Sequence, residues 1–440
     1  MQVLIALPEL SEIEARGGIK KFLLRKVSGV PFLTRVIATA GRGGALSAII
    51  IHPKSITEND LWPALASAAL EPISTKLVAA DKAFDPENAA DWQSIESQLE
   101  DKFVWLPWDL AIDRYSLGAL VKAGAASENG ARFAHPDEQA AETNLPLVIA
   151  KSSLRINEGD GMLSRFAARP DLQEVGAPYS AGIRIQSNET RRAAEWHLVQ
   201  RSGKATDGVF STFNRRLCWP LVRGLAKTPI TPNVISFVGL FVAILSGYWY
   251  AQGYWGAYAL GGLFYFISVL FDEMDGMLAR IKFKESAFGC WLETVIDYSS
   301  YIIIFVAMTI GLYRQSGTLW LILGGVLIFS TTIALFVFSY QRKIATTSKN
   351  PNEYLLIYHR RLEEDSGNLL SRLVRQTEFV LRKAPMSHFL LIFSALGALK
   401  VLFLLAVLSA GLAAPIAISM TRLFKSSPEE NHSEEGYLAP

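Results

Sequence analysis

The chain has 440 residues, half of them hydrophobic, with positive mean hydropathy and a formal net charge of +2. That length suits two or three domains. So even a charge balance supplies no global field for nucleic acid, and two distant cysteines, Cys218 and Cys290, imply neither a disulfide framework nor a zinc site.

Met1 to Pro8 is too short for a secretory leader. Residues 1–190 hold no apolar run of membrane length. Val3–Leu7, Ala48–His52, Phe103–Leu106 and Leu147–Ala150 are short runs that read as buried strands. Helical segments such as Pro31–Ala40 and Trp92–Glu100 fall between them, which predicts an α/β domain with a mainly parallel sheet. Lys26-Val-Ser-Gly-Val-Pro-Phe-Leu-Thr-Arg followed by Ala48-Ile-Ile-Ile resembles sugar-phosphate nucleotidyltransferases. The resemblance implies a Rossmann-like fold, and Asp109 in Leu106-Pro-Trp-Asp matches the family's metal-binding acid. The family's Gly-rich phosphate loop is replaced here by Leu7-Pro-Glu-Leu-Ser-Glu-Ile-Glu; Gly17-Gly18 and Lys20-Lys21 follow it. A degenerate, non-catalytic cap is therefore expected.

Residues 191–230 form a linker and an amphipathic segment. Phe210, Phe213, Leu217 and Leu221 recur at helical spacing, with Arg215, Arg216 and Arg223 opposite and Trp219 as an anchor. This predicts a helix at a membrane surface. Thr231-Pro-Asn233 is a helix start.

Residues 231–425 read as an all-α membrane domain of six spans, each of about 20 residues. They fall at 234–252, 256–278, 290–312, 317–339, 386–399 and 401–423, with the break before the last at Gly397 to Lys400. Arg215, Arg216, Arg223, Lys227, Arg280, Lys282, Lys284, Arg342 to Lys383, Arg422 and Lys425 lie on one side, against Arg314 and Lys400 on the other. The positive-inside rule then puts both termini and the site on the cytoplasmic face of an inner membrane. Residues 341–385 form a charged insert with amphipathic helices over Leu355 to Leu381, and 426–440 a polar, disordered tail. His359 and His388 stand alone, and such histidines are more often solvated or packed than functional.

Between the uncharged runs Gly256–Phe271 and Tyr301–Leu312 stand Asp272, Asp275, Glu293 and Asp297. Acids where a chain meets hydrocarbon are costly and mark function. Asp272, Asp275, Gly276 and Ala279 share one helical face, and Gly289, Glu293 and Asp297 share another. Small residues let the two helices approach. The product is a four-carboxylate pocket with Arg280 beside it, an oxygen donor set for Mg²⁺ or Mn²⁺ and the phosphates they bind. An ion pathway or inert helix-end charges are the other readings.

The stretch resembles the motif of the CDP-alcohol phosphotransferases, Asp-x2-Asp-Gly-x2-Ala-Arg-x8-Gly-x3-Asp-x3-Asp. It matches at Asp272, Asp275, Gly276, Ala279, Arg280, Gly289 and Asp297, with Glu293 in place of the third Asp. The order of Asp-Gly, Asn-Arg-Arg and Thr-Pro-Asn is similar to enzymes that fuse a cytidylyltransferase to a membrane di-inositol-phosphate synthase. The resemblance implies Asp272, Asp275, Glu293 and Asp297 as metal ligands and Asp297 as general base. It implies Gly276, Ala279, Arg280, Gly289 and Asn233 around the nucleotide and phosphates. A CDP-alcohol donor (CDP-diacylglycerol or CDP-inositol), an alcohol or alcohol-phosphate acceptor, membrane lipid and a homodimer also follow from it. A non-catalytic membrane scaffold is the alternative function.

Overall fold

The computed structural model describes all residues except 72, 135–144, 156–160, 177–181, 205–206, 346–350, 366–371, 373–382 and 423–440. The predicted tail and most of the second half of the insert lie outside the described residues.

The first domain is built on seven strands: β1 (Gln2–Ala6), β2 (Ser47–Pro53), β3 (Ser74–Ala80), β4 (Lys102–Trp105), β5 (Gly130–Phe133), β6 (Leu147–Ala150) and β7 (Gln173–Val175). Their order across the sheet is β7-β5-β6-β4-β1-β2-β3. All pairings are parallel except those of β6, which runs against β4 and β5. Alternation explains the burial. Val3, Ile5, Ala48, Ile50 and Val104 enter one apolar layer, while Leu4, Ala6, Ile49, Ile51, Phe103 and Trp105 enter the other. All four predicted strands are present, two of them shifted by one residue.

Beyond the sheet and the shorter helices that flank it, the chain continues with α1 (Asn188–Gln200), capped by Ser187, and α2 (Val209–Ala226). In α2 the expected apolar stripe is open: Phe213, Leu217 and Leu221 are exposed. Of the arginines opposite, Arg216 is exposed but the other two are engaged. Arg215 is buried against Glu273 at 2.7 Å and Asp207, and Arg223 stacks on Trp196.

Next come α3 (Pro232–Tyr250), α4 (Trp255–Lys282), α5 (Ala287–Ser316), α6 (Leu319–Ala345), α7 (Pro351–Glu364), α8 (Lys383–Ala395) and α9 (Leu399–Met420). Five of these, α3 to α6 and α9, are long and apolar enough to cross a membrane. The sixth expected span, 386–399, is corrected: α8 has 13 described residues, about 20 Å of helix against a hydrocarbon core of about 30 Å. Gly397 ends it at φ +73°, with Ala398 N–H donating to the Phe393 carbonyl at 2.8 Å.

Small residues set the close contacts. The Ser246 and Ser268 hydroxyls donate to the Gly261 and Gly239 carbonyls at 2.7 and 2.8 Å, tying α3 to α4. At Gly311 a Cβ would run into the Tyr250 carbonyl. Gly311→Ala is expected to destabilise the helical domain by about 1–3 kcal/mol, seen as a lower thermal midpoint in detergent.

Candidate functional site

Asp272 and Asp275 lie in the last three turns of α4, and Glu293 and Asp297 in the first three of α5. A tight corner joins the helices. Phe283 takes a left-handed conformation, φ +54°, so that Lys284 N–H reaches back to the Ala279 carbonyl at 2.9 Å, and Ser286 caps α5 through Gly289 N–H at 3.0 Å. That corner folds the two halves of the motif face to face.

Two of the four carboxylates, Asp272 and Asp297, meet at a group the sequence did not single out, the ammonium of Lys383, the first described residue of α8. Lys383 Nζ donates to Asp272 Oδ1 at 3.0 Å and to Asp297 Oδ1. Asp275 is buried, accepts from the Ser236 hydroxyl of α3, and lies within electrostatic reach of Asp272 and Glu293. Glu293 is partly exposed, with Lys204 Nζ at 4.0 Å. The donors are all oxygen, and a cation already sits among them, so the chemistry fits a hard divalent ion. With the side chains as they stand, no three acids, histidines or cysteines converge tightly enough among the described residues to chelate one. A metal would have to displace the ammonium.

The other motif residues divide. A Cβ at Gly289 would approach Asn233 Oδ1 at 3.7 Å, so Gly289 and Asn233 share one rim of the site. Gly276 and Ala279 stay partly open on α4. Arg280 leaves the carboxylates. It is buried, donates from Nε to the Ser202 carbonyl at 2.5 Å, and faces the first domain. His388 is packed, its ring against Phe210, Phe213 and Phe266.

The first domain closes over this corner. Arg35 and Arg114 stand over the Phe283 ring at 5.1 and 5.8 Å. Arg114 clamps Glu285 with two bonds of 2.8 and 2.9 Å, and Arg35 donates to the Ile281 carbonyl at 2.8 Å. Asp109 is fully buried and held from both sides, by a fork of Arg184 at 2.8–3.0 Å and by Arg16 at 3.7 Å. Two guanidiniums thus fill the place at this acid that a metal would need.

Residues 229–418 match the CDP-alcohol phosphatidyltransferase family. The carboxy-terminal half carries a CDP-alcohol phosphatidyltransferase domain. The chain is 32% identical over 119 residues to an archaetidylinositol phosphate synthase of Pyrococcus horikoshii, a match covering 27% of this chain and 56% of that one. It is 26% identical over 140 residues to a bifunctional IPC transferase and DIPP synthase of Thermococcus kodakarensis, covering 32% of each. The first domain is similar to a nucleotidyl transferase from Methanothermobacter at 15% identity and a TM-score of 0.36, over 44% of this chain and 96% of that one.

The Asp109 cluster makes a prediction. Arg184→Met leaves a fully buried carboxylate with one distant partner. It is expected to lower stability by about 3–5 kcal/mol, read as loss of the first domain's thermal transition, while Asp109→Asn paired with Arg184→Met recovers most of it.

Proposed function

We propose that the protein is an integral membrane enzyme that transfers a substituted phosphate group from a CDP-alcohol to an acceptor alcohol and releases CMP. The observation that carries this reading is the gathering of the four motif carboxylates at the ends of two apolar helices, two of them, Asp272 and Asp297, on one ammonium and Asp275 within electrostatic reach of Asp272 and Glu293. Inert charges would not be gathered so, and an ion pathway would run through the membrane's depth rather than stop at one end of the helices.

Asp272, Asp275, Glu293 and Asp297 would hold Mg²⁺ or Mn²⁺, which when bound neutralises the diphosphate oxygens of the donor and the charge on departing CMP. Lys383, displaced from the carboxylates, would then be free to pair with a substrate phosphate. Asp297, freed of the ammonium, accepts the proton of the acceptor hydroxyl. The hydroxyl oxygen forms a bond to the β-phosphorus while the bond to the bridging oxygen breaks and CMP departs. Gly289 and Asn233 border the nucleotide, and the open faces of Gly276 and Ala279 give it room. Arg280 acts by fixing the end of α4 rather than by touching the donor.

The names of the two curated relatives favour an inositol-phosphate acceptor or product over other alcohols. The locked Asp109 supports a first domain that caps the membrane enzyme without nucleotidyl transfer of its own. The basic residues around the carboxylate end, among them Arg216, Lys227 and Lys284, support a cytoplasmic site with both termini on that side, and a homodimer accords with the family resemblance.

CMP release by the purified protein decides the reading, measured with CDP-diacylglycerol and with CDP-inositol against inositol phosphate and glycerol phosphate acceptors. Metal-dependent release that falls about 10²–10⁴-fold in Asp297→Asn is expected. No release from any pair, with no CDP compound raising the thermal midpoint, would leave the membrane scaffold as the better account. The lysine gives a second prediction. In EDTA, Lys383→Met is expected to lower the thermal midpoint because the acids lose their cation, and Mn²⁺ is expected to restore it at lower concentration than it acts on the wild type. An unchanged Mn²⁺ response would show that the ammonium and the metal do not share the site.

A further inference from the structure

Away from the carboxylates, the seam between the two domains holds a small open cleft of about 30 Å³. Its wall carries four guanidiniums, Arg35, Arg114, Arg201 and Arg280, with Asp113 as the acid among the described lining. The acids close by are already engaged. Asp113 accepts from the Tyr115 and Ser116 amides at 3.0 Å, from the Ser116 hydroxyl at 2.6 Å and from Arg201 at 3.4 Å, and Glu285 is held by Arg114.

Two of the cations are left short of charge. Arg35 donates to the carbonyls of Val27, Ser28 and Ile281. Burial, and then repulsion from Arg114, pushes its pKa down to about 9. Arg280 is 9% exposed, and its buried Nη2 has no hydrogen-bond acceptor at all. Neither has a carboxylate partner, and the one buried N–H group of Arg280 left without an acceptor costs about 1–3 kcal/mol unless an anion joins it. A surface charged only for solubility would not turn its arginines inward.

We infer that this cleft is a binding site for a phosphate group, supplied either by a free phosphate or by the headgroup of an anionic lipid. A tetrahedral dianion offers oxygens for bidentate contacts to several guanidiniums at once, which a single carboxylate cannot. The cleft is spanned by residues of both domains: Arg35, Arg114 and Arg201 belong to the soluble part and Arg280 to α4. Occupancy therefore staples the soluble domain to the helix that carries Asp272 and Asp275. The site is separate from the carboxylates and does not rest on the transfer reaction proposed above.

The full-length protein in detergent, with EDTA present to keep divalent ions off the carboxylates, is titrated with inorganic phosphate. Heat of binding and the thermal midpoint are followed together. Saturable binding with a raised midpoint is expected, unchanged in Asp297→Asn and weakened about tenfold in Arg201→Gln. Thr39→Glu sets a carboxylate on the cleft wall, where Thr39 is buried, and is expected to abolish phosphate binding while keeping or raising the midpoint. Repeating the titration in nanodiscs of phosphatidylcholine with and without phosphatidic acid separates the sources. Competition by phosphatidic acid assigns the headgroup, and its absence assigns the free ion. No saturable phosphate binding in detergent together with no effect of phosphatidic acid, or binding that survives Thr39→Glu intact, overturns the inference.

Discussion

Four acids at the ends of apolar helices repel one another and resist leaving water, so the site can exist only around a positive charge. In this structure the charge is the Lys383 ammonium, shared by Asp272 and Asp297. That requirement gives a role to α8, whose 13 described residues are fewer than an ordinary span needs. Its use is to carry a lysine to the gap between α4 and α5. The same requirement ties the fold to the chemistry, because whatever replaces the ammonium must bring at least as much charge.

The second constraint is the corner between α4 and α5. A phenylalanine in left-handed conformation is strained, and Phe283 is held there by two guanidiniums from the first domain. Alongside it, Gly29, at φ +82° in a tight hairpin turn, meets the Ala226 carbonyl so closely that no side chain fits. Lys282 completes the joint by donating to the Thr228 and Ile230 carbonyls at 2.7 and 2.8 Å. Through these contacts a domain that carries no open acid at Asp109 still shapes the carboxylate pocket.

What could be read in the sequence were features of short range. Short apolar runs marked the strands, long apolar runs marked five of the spans, and the spacing of Asp272 to Asp297 placed four acids on two helix faces. The parts that escaped depend on distant pairing. Lys383 lies 86 residues from Asp297, and Arg184 lies 75 from Asp109. Arg280 looked like a neighbour of the acids because it shares their helix. A helix has several faces, though, and the guanidinium took the one that the soluble domain covers. Residues 386–399 were apolar enough for a span, and only the turn at Gly397 showed that the described helix stops short.

The clamped position of α2 has a practical side. Arg215 and Arg223 pin its polar face, so the stripe of Phe213, Leu217 and Leu221 points in a direction fixed by the rest of the molecule. A detergent belt that wraps only the long helices would leave that stripe bare at its edge. Surfactants with bulky heads and short tails should then favour clumping through α2, and broader belts or lipid discs should keep single particles.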